Sequence, residues 1–257
     1  MNDKRYIPFR VKNLELGSGI SKICVPLVVR REEEIAGQIA QIRQVPCDLV
    51  EWRVDFLEDC CSWEKVYKAL EQIRDRLKDK VLLFTFRTKP EGGESEITPE
   101  AYANLCLAAA GSGLVDLVDV EYHLGEAFVR DLTVKLREKK AGVIGSCHDF
   151  KKTPARDEIV DIMCRMQRLG VDITKMAVMP QSRDDVVTLL QASVDMEERC
   201  ADRPFITMSM GRLGALSRLA GSLTGSALTF ATAGRASAPG QMNAGGIRQT
   251  QELLGYF

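Results

Sequence analysis

A lysine lies within an otherwise apolar segment of the chain, DITKMAVMP at 172–180. A lysine buried in an apolar strand loses hydration, which favours its neutral amine over the charged ammonium. A neutral amine can attack a carbonyl carbon and form a Schiff base. The alternative is a strand-end lysine whose stem is buried and whose ammonium group reaches water. Lys175 is therefore a candidate nucleophile, and on this residue alone both interpretations stay open.

His148 is the natural candidate for proton transfer, because an imidazole titrates near neutral pH. The alternative is a structural histidine whose hydrogen bonds are satisfied by neighbours. Glu91, in the loop EGGE at 91–94, could orient the imidazole or could be solvated. Cys147 precedes His148 directly, and adjacent strand residues face opposite sides, which disfavours a Cys–His nucleophile pair. The chain has 2 histidines and no spacing typical of metal ligands, so no metal site is predicted.

Further charged residues fall within apolar segments. In EWRVDF at 51–56, Glu51, Arg53 and Asp55 alternate and share one face of a predicted strand. They form either a self-neutralising ion-pair ladder or the polar wall of a ligand site. Arg87, Asp119 and Glu121 lie near the ends of other predicted strands. Charges thus gather at carboxyl ends of strands, where barrel enzymes hold their active sites.

Two features of the C-terminal third could bind and enclose a substrate. Arg218, in GALSRLAG, could clamp a carboxylate through two hydrogen bonds, although a lone helical arginine is usually solvated. The segment GRASAPGQMNAGG at 234–246 is rich in small residues and is typical of a mobile lid. A plain surface loop is the alternative.

Regularly spaced apolar runs supply the elements that must position these side chains. The runs begin at residues 22, 48, 81, 114, 142, 172, 204 and 227. Amphipathic helices are predicted at 32–44, 64–78, 99–110, 155–169 and 184–198. Thr98-Pro99 and Thr153-Pro154 are the predicted N-terminal signals of the third and fourth of these helices. This alternation predicts an α/β fold, a (β/α)8 TIM barrel, as one domain over residues 1–257. A short N-terminal hairpin is expected to cap one end. The alternative, an open doubly wound sheet, often carries a glycine-rich phosphate turn that is missing here.

Composition narrows the classes of function. With 257 residues, 35 basic and 36 acidic side chains give a net charge of −1, which argues against nucleic-acid or membrane binding. The N-terminal residues have mixed charge and lack the apolar core of a signal peptide, so a cytoplasmic location is expected. The 8 cysteines are scattered without a C-x-x-C pair and are interpreted as reduced thiols.

Taken together, six motifs resemble the type I 3-dehydroquinate dehydratases (3-dehydroquinases). They are EWRVD at 51–55, RTKPEGGE at 87–94, HDF at 148–150, DITKMAVMP at 172–180, SMGRLGALSRLAGSLTGSALTF at 209–230 and ASAPGQ at 236–241. The similarity covers roughly residues 20–250 in the family's order. Each motif is weak alone, whereas the set is specific.

The resemblance implies dehydration of 3-dehydroquinate to 3-dehydroshikimate in the shikimate pathway of aromatic amino acid biosynthesis. It also implies a homodimer without metal or organic cofactor. Lys175 aligns with the Schiff-base lysine, His148 with the general acid/base and Glu91 with the acid that positions the histidine. The remaining matches are substrate-binding positions, namely Glu51, Arg53, Arg87, Met208, Met210, Arg218, Ser237 and Gln241.

Two positions depart from the family pattern. Pro26 replaces a frequent serine on the first strand, and Cys147 replaces a frequent aromatic residue. Neither change removes a catalytic group.

Two rival functions also remain: a class I aldolase that shares the barrel and the imine lysine, and a non-catalytic barrel that binds a hydroxy acid. Product analysis on 3-dehydroquinate and on sugar phosphates separates them.

Overall fold

The computed structural model describes residues 6–234 and 238–255. The chain opens with an antiparallel hairpin of β1 (Phe9–Val11) and β2 (Leu14–Leu16). Eight parallel strands follow, one in each predicted apolar run. They are β3 (Lys22–Leu27), β4 (Leu49–Arg53), β5 (Val81–Thr85), β6 (Leu117–Glu121), β7 (Gly142–Asp149), β8 (Ile173–Val178), β9 (Phe205–Ser209) and β10 (Leu228–Thr232).

These strands pair in the order β10-β3-β4-β5-β6-β7-β8-β9, and a short β11 (Met242–Asn243) adds to β10. Two hydrogen bonds join the ends of this curled sheet. The amide of Ala227 donates to the Phe205 carbonyl at 2.8 Å, and the amide of Thr207 donates to the Ser226 hydroxyl at 3.0 Å. The fold is therefore the predicted barrel, and the open-sheet alternative is wrong.

The helices cover the outside of the barrel. They are α1 (Ile35–Ile42), α2 (Trp63–Arg76), α3 (Pro99–Gly111), α4 (Glu126–Glu138), α5 (Arg156–Arg168), α6 (Arg183–Asp195), α7 (Gly221–Thr224) and α8 (Ala244–Leu253). The start of α3 follows its sequence signal, because the Thr98 hydroxyl accepts the amide of Ala101 at 3.2 Å and Pro99 occupies the first turn.

Several helix boundaries differ from the prediction. The N-cap of α5 is Ala155, so Thr153 lies too far from the first turn to cap it, and its hydroxyl is buried without a partner. Helix α6 begins at Arg183, one residue before the predicted start, with Ser182 as its N-cap. It ends at Asp195 and is followed by a π-helical turn over Met196–Cys200. The predicted helix at 32–44 begins with a 3₁₀ turn over Glu32–Glu34.

The hairpin closes the N-terminal end of the barrel, as predicted. Leu16 is buried in the cluster that fills the barrel interior, and Phe9 packs against the same cluster. The layer of this cluster at the N-terminal end of the barrel comes from the first residues of β4, β5, β6 and β8, namely Leu49, Val81, Leu117 and Ile173. Gly142 lets the hairpin approach, since a Cβ there would lie 2.6 Å from the ring of Phe9. Substrate access is left to the opposite end of the barrel.

Two general features complete the fold. All 8 cysteines fall within the described residues and are free thiols. Over residues 6–234 and 238–255, no helix has the length and apolar character needed to cross a membrane.

Candidate active site

A pocket lies at the carboxyl ends of the barrel strands. Its wall includes every predicted site residue in the described part of the chain, namely Glu51, Arg53, Arg87, Glu91, His148, Lys175, Met208, Met210, Arg218 and Gln241. Its remaining lining residues are Gly92, Phe150, Ala177, Phe230 and Ala238. Ser237 lies outside the described residues. Side chains from six strands or strand-end loops thus converge on one cavity.

Lys175 extends from β8 into this cavity, and its side chain is only 4% exposed. Its Nζ lies 3.5 Å from Oδ2 of Asp119, 3.8 Å from Oε1 of Glu51 and 4.2 Å from the ring centroid of Phe230. The strand is apolar in sequence, but neighbouring strands place carboxylates beside the amine. The low exposure of the side chain argues against the alternative of an ammonium group that reaches water. These ion pairs hold the amine inside the pocket.

A buried arginine organises the acidic side of the pocket. Arg87 donates to Asp119 at 2.8 Å, to Glu121 at 2.7 Å, to Glu91 at 3.3 Å and to Ser146 at 3.1 Å. Burial by itself would lower the pKa of Arg87, but the three carboxylates raise it well above its usual range. Burial likewise opposes ionisation of Asp119, yet Arg87 and Lys175 hold the pKa of that carboxyl below its ordinary value.

The ion-pair and pocket-wall interpretations of strand β4 are both partly right. Arg53 donates to both carboxylate oxygens of Asp55 at 2.8 Å, and the pair is buried. Asp55 lies in a 3₁₀ turn after the strand and also accepts the amide of Glu94 at 3.1 Å. Glu51 stays on the strand, accepts the hydroxyl of Thr85 at 3.0 Å and faces the pocket.

Glu91 is shared by the two histidines. Its Oε2 lies 2.8 Å from Nδ1 of His148, and its Oε1 lies 3.1 Å from Nδ1 of His123. Burial lowers the pKa of His148 well below its ordinary value, and the charges of Arg87 and Lys175 add to this effect. Burial also raises the pKa of Glu91, although the hydrogen bond from His123 opposes this shift. The resting site therefore holds a neutral His148 with Nδ1 fixed by a carboxylate.

Two glycines shape the loop that presents Glu91. Gly92 has φ +81°, and a Cβ there would collide with the ring of Phe150. At Gly93, a Cβ would overlap the carbonyl group of Arg87, while the Gly93 amide donates to the Thr88 carbonyl at 2.9 Å. The loop can therefore fold back on the end of β5 only because these positions lack side chains.

Replacing Gly93 with alanine is expected to lower kcat by about 10- to 100-fold, because the displaced loop moves Glu91 away from His148. Steady-state kinetics together with a thermal melt measure the change. Gly37→Ala is the matched control, since its Cβ meets no atom within 4 Å and it lies on α1. Equal kinetics for the two variants would contradict the positioning role of the loop.

Arg218 is a buried cation without a carboxylate within ion-pair distance among the described residues. It donates to the carbonyl groups of Phe230 at 3.2 Å and of Pro239 at 3.1 Å, and its Nε has no partner. Burial lowers the pKa of Arg218 to about 10, so the guanidinium stays charged at neutral pH. A buried, uncompensated cation at a pocket wall favours an anionic ligand.

The predicted lid segment is shorter than the sequence suggested. Met242 and Asn243 form β11, and the Asn243 side chain caps α8 by accepting the Gly245 amide at 2.9 Å, so the loop ends before Gly246. Residues 235–237 lie outside the described residues. Ala238 and Gln241 line the pocket.

One group of three possible metal ligands occurs in the described part of the chain. Glu91, Glu121 and His123 each offer a ligand atom, and these atoms lie within 4.8 Å of one another. Arg87 already donates to both carboxylates, and its positive charge there disfavours a metal cation. We assign no metal to this group.

Three residues that contact Lys175 or Glu91 have no role predicted from the sequence. From the sequence, Asp119 is only one of the strand-end charges, and Phe230 and His123 have no predicted function. The alternation of LVDVE and LTFAT across strands could have pointed Asp119 and Phe230 inward. No local signal places His123 against Glu91, because that contact joins loops 32 residues apart.

Burial raises the pKa of Cys147 to about 12, which weakens any nucleophilic role of this thiol further.

Barrel topology with a buried lysine, a histidine–carboxylate pair and an uncompensated arginine at the strand ends defines a barrel enzyme. The model of the type I 3-dehydroquinase family matches residues 23–256, and the chain belongs to this family. Among curated relatives, the 3-dehydroquinate dehydratase of Syntrophotalea carbinolica is 48% identical over 245 residues, covering 95% of this chain and 97% of the relative.

Solved structures agree with this assignment. The type I 3-dehydroquinate dehydratase from Clostridium difficile with covalently modified comenic acid has a TM-score of 0.93 at 42% identity, covering 97% of this chain and 98% of that chain. The 3-dehydroquinate dehydratase from Geobacillus kaustophilus has a TM-score of 0.94 at 34% identity, with 99% of each chain covered. The similarity therefore extends over the whole barrel.

Proposed function

We propose that this protein dehydrates 3-dehydroquinate to 3-dehydroshikimate through a Schiff base on Lys175. One observation carries the proposal: Lys175, the His148–Glu91 pair and Arg218 all face a single pocket. Membership in the type I 3-dehydroquinase family supports the same reaction. The pocket thus combines an amine for the ketone, a base for a carbon-bound proton and a cation for a carboxylate.

In the proposed reaction, the Lys175 amine adds to the substrate ketone and water leaves. One proton is taken up from solvent in this step, which forms a protonated imine, and the final hydrolysis returns that proton. The imine withdraws electrons from the adjacent carbon, so neutral His148 can remove a proton there and leave an enamine. Return of the electron pair expels the β-hydroxyl group, which takes the proton from His148 and leaves as water. Hydrolysis of the conjugated imine then releases product and restores the free amine.

The other pocket residues bind and orient the substrate in this proposal. Arg218 holds the carboxylate, while Glu51 and Arg53 fix the ring hydroxyls. Arg87 forms part of the wall and holds the carboxylates around it. Met208 and Met210 pack beside the lysine, and Gln241 covers the substrate from the lid. Ser237, which lies outside the described residues, is assigned to substrate binding by the family resemblance alone. Positioning of this kind can contribute several kcal/mol, roughly, to lowering the barrier.

Borohydride trapping tests the proposal directly. The protein is mixed with 3-dehydroquinate, reduced, digested and mapped by mass spectrometry. We expect one stable adduct, on the peptide that contains Lys175. Reduction without substrate and reduction with a sugar phosphate are the matched controls. A protein that binds 3-dehydroquinate without forming any adduct would overturn the Schiff-base mechanism.

The class I aldolase is the second candidate from the sequence. It would use the same lysine but cleave a carbon–carbon bond. The family match and the uncompensated Arg218 favour a carboxylated substrate and dehydration instead. Formation of the conjugated product without any smaller carbonyl fragment separates the two reactions. A non-catalytic barrel that only binds its ligand would form neither the conjugated product nor a smaller carbonyl fragment.

Three broader expectations remain proposals of the same kind. We propose one barrel domain over residues 1–257, a homodimer and a cytoplasmic location. The family resemblance supports all three. Exposed leucines at 213, 216 and 223, which are 43%, 60% and 72% exposed, supply apolar surface that a second copy could cover. Light scattering on the purified protein reports the oligomeric state.

A further inference from the structure

We infer that His123 is a positioning residue that shares the Glu91 carboxylate with His148 and thereby keeps His148 ready to accept a proton. The inference rests on the proposed function, in which His148 is the base. It concerns a residue outside the set predicted from the sequence. It also accounts for both histidines of the chain, since each contacts the same carboxylate.

The geometry divides Glu91 between the two rings. Oε2 lies 2.8 Å from Nδ1 of His148, and Oε1 lies 3.1 Å from Nδ1 of His123. An ionised carboxylate only accepts hydrogen bonds, so each Nδ1 that it contacts carries a proton. Nε2 of a neutral His148 is then the atom left with a lone pair. With both oxygens engaged, the carboxylate of Glu91 is less free to rotate away from His148.

Exposure and charge decide which ring takes the extra proton. The His123 side chain is 34% exposed, whereas that of His148 is 9% exposed. Glu91 and Glu121 face His123, the latter at 3.5 Å, and Arg87 opposes them. The charges that act on His148 are those of Arg87, Lys175, Arg53 and His123, and each disfavours protonation of its ring.

The pKa shifts of the two imidazoles follow this asymmetry. The hydrogen bond to Glu91 raises the pKa of His123, although burial opposes the shift. Burial lowers the pKa of His148 well below its ordinary value. A proton arriving at the pair therefore goes to His123, at the outer side, and not to the base. His123 also helps Glu91 to stay ionised, because its hydrogen bond opposes the effect of burial on that carboxyl.

Loss of His123 is expected to raise the pKa values of both Glu91 and His148. Without its ring, Glu91 loses a hydrogen bond that stabilises its charged form, and His148 loses a neighbouring positive charge. Both changes raise the pKa of the affected group. The His123→Ala variant is therefore expected to protonate the His148–Glu91 unit at higher pH than the unchanged protein does.

Histidine NMR tests this without substrate. The chain has 2 histidines, so a protein free of added tags gives two ring resonances, which single histidine variants assign. In His123→Ala, we expect the remaining ring signal, that of His148, to titrate at higher pH than in the unchanged protein. An unchanged His148 titration would overturn the inference. The result is independent of turnover, so it separates this inference from the proposed function.

Kinetics supply the second readout. In His123→Ala, the acid limb of kcat/KM is expected to move to higher pH, with about a tenfold loss near pH 6 and little loss in the alkaline range. His123→Asn keeps a donor close to the position of Nδ1 and should recover much of this loss. An equal loss at every pH, without recovery by asparagine, would indicate a merely structural role and overturn the inference.

Tyr122→Phe is the matched control. Tyr122 precedes His123 in the same turn, but its hydroxyl donates to Glu126 at 2.9 Å, away from Glu91. This variant should leave the His148 titration and the pH profile unchanged. If it shifts them as His123→Ala does, disturbance of the turn explains the effect and the inference fails. Trapping of the Lys175 adduct in each variant shows separately whether the proposed function holds.

Discussion

Replacing Lys175 with alanine is expected to abolish both turnover and borohydride-trapped adduct, with kcat reduced by at least about 10⁴-fold. The amine is the one group that can bond to the substrate ketone in the proposed mechanism. Its removal also leaves Asp119 and Glu51 without the cation that lies 3.5 Å and 3.8 Å from them. Formation of the conjugated product, followed by ultraviolet absorbance, measures the loss.

Two further variants make this result interpretable. Lys175→Met keeps most of the side-chain volume and separates loss of the amine from loss of packing, so it should be equally inactive. Lys151→Ala removes an exposed lysine shortly after β7 and should keep both turnover and the adduct. Substantial turnover by either Lys175 variant would contradict the imine mechanism.

Replacing His148 with alanine is expected to leave imine formation possible while lowering kcat by about 10²- to 10⁴-fold, since proton removal loses its positioned base. Mass spectrometry after reduction distinguishes the stages, because the substrate and product adducts differ by one water. The variant should accumulate the substrate adduct. Near-normal kcat, or an adduct that has already lost water, would remove His148 from the mechanism.

The same histidine sets the expected pH dependence. Burial and nearby cations lower the pKa of His148 well below 6.5, so the base form persists as pH falls through the mildly acidic range. In the unchanged protein, the acid limb of kcat/KM should therefore lie below pH 6.5. A limb above that pH would show that the proton binds His148 more readily than its surroundings indicate.

Sequence patterns predicted the barrel well because its strands are local and strongly apolar. Each of the eight predicted runs contains one barrel strand. Helix ends were less predictable: Thr153 has the residue type of a cap, but the chain does not turn until Ala155. A cap depends on backbone angles over a few residues, and residue type alone does not determine them.

The candidate site shows the same division between local and long-range information. Alternation along β4 and β8 indicated that Glu51 and Lys175 face inward. It could not give the distance between Lys175 and Asp119, because that contact depends on the register of separate strands. The resemblance to the family identified residues with expected roles, but it drew no attention to His123, whose contact with Glu91 becomes visible only in three dimensions.

The hairpin at the base of the barrel has a practical consequence. It blocks the end of the barrel away from the pocket, since Leu16 and Phe9 pack on the interior cluster there. Strands of five to eight residues separate the two ends by roughly 15–25 Å. A sensor surface coupled through the hairpin would therefore hold the molecule with its pocket facing the solution. Ligands could then be passed over the immobilised protein without the support obstructing their entry.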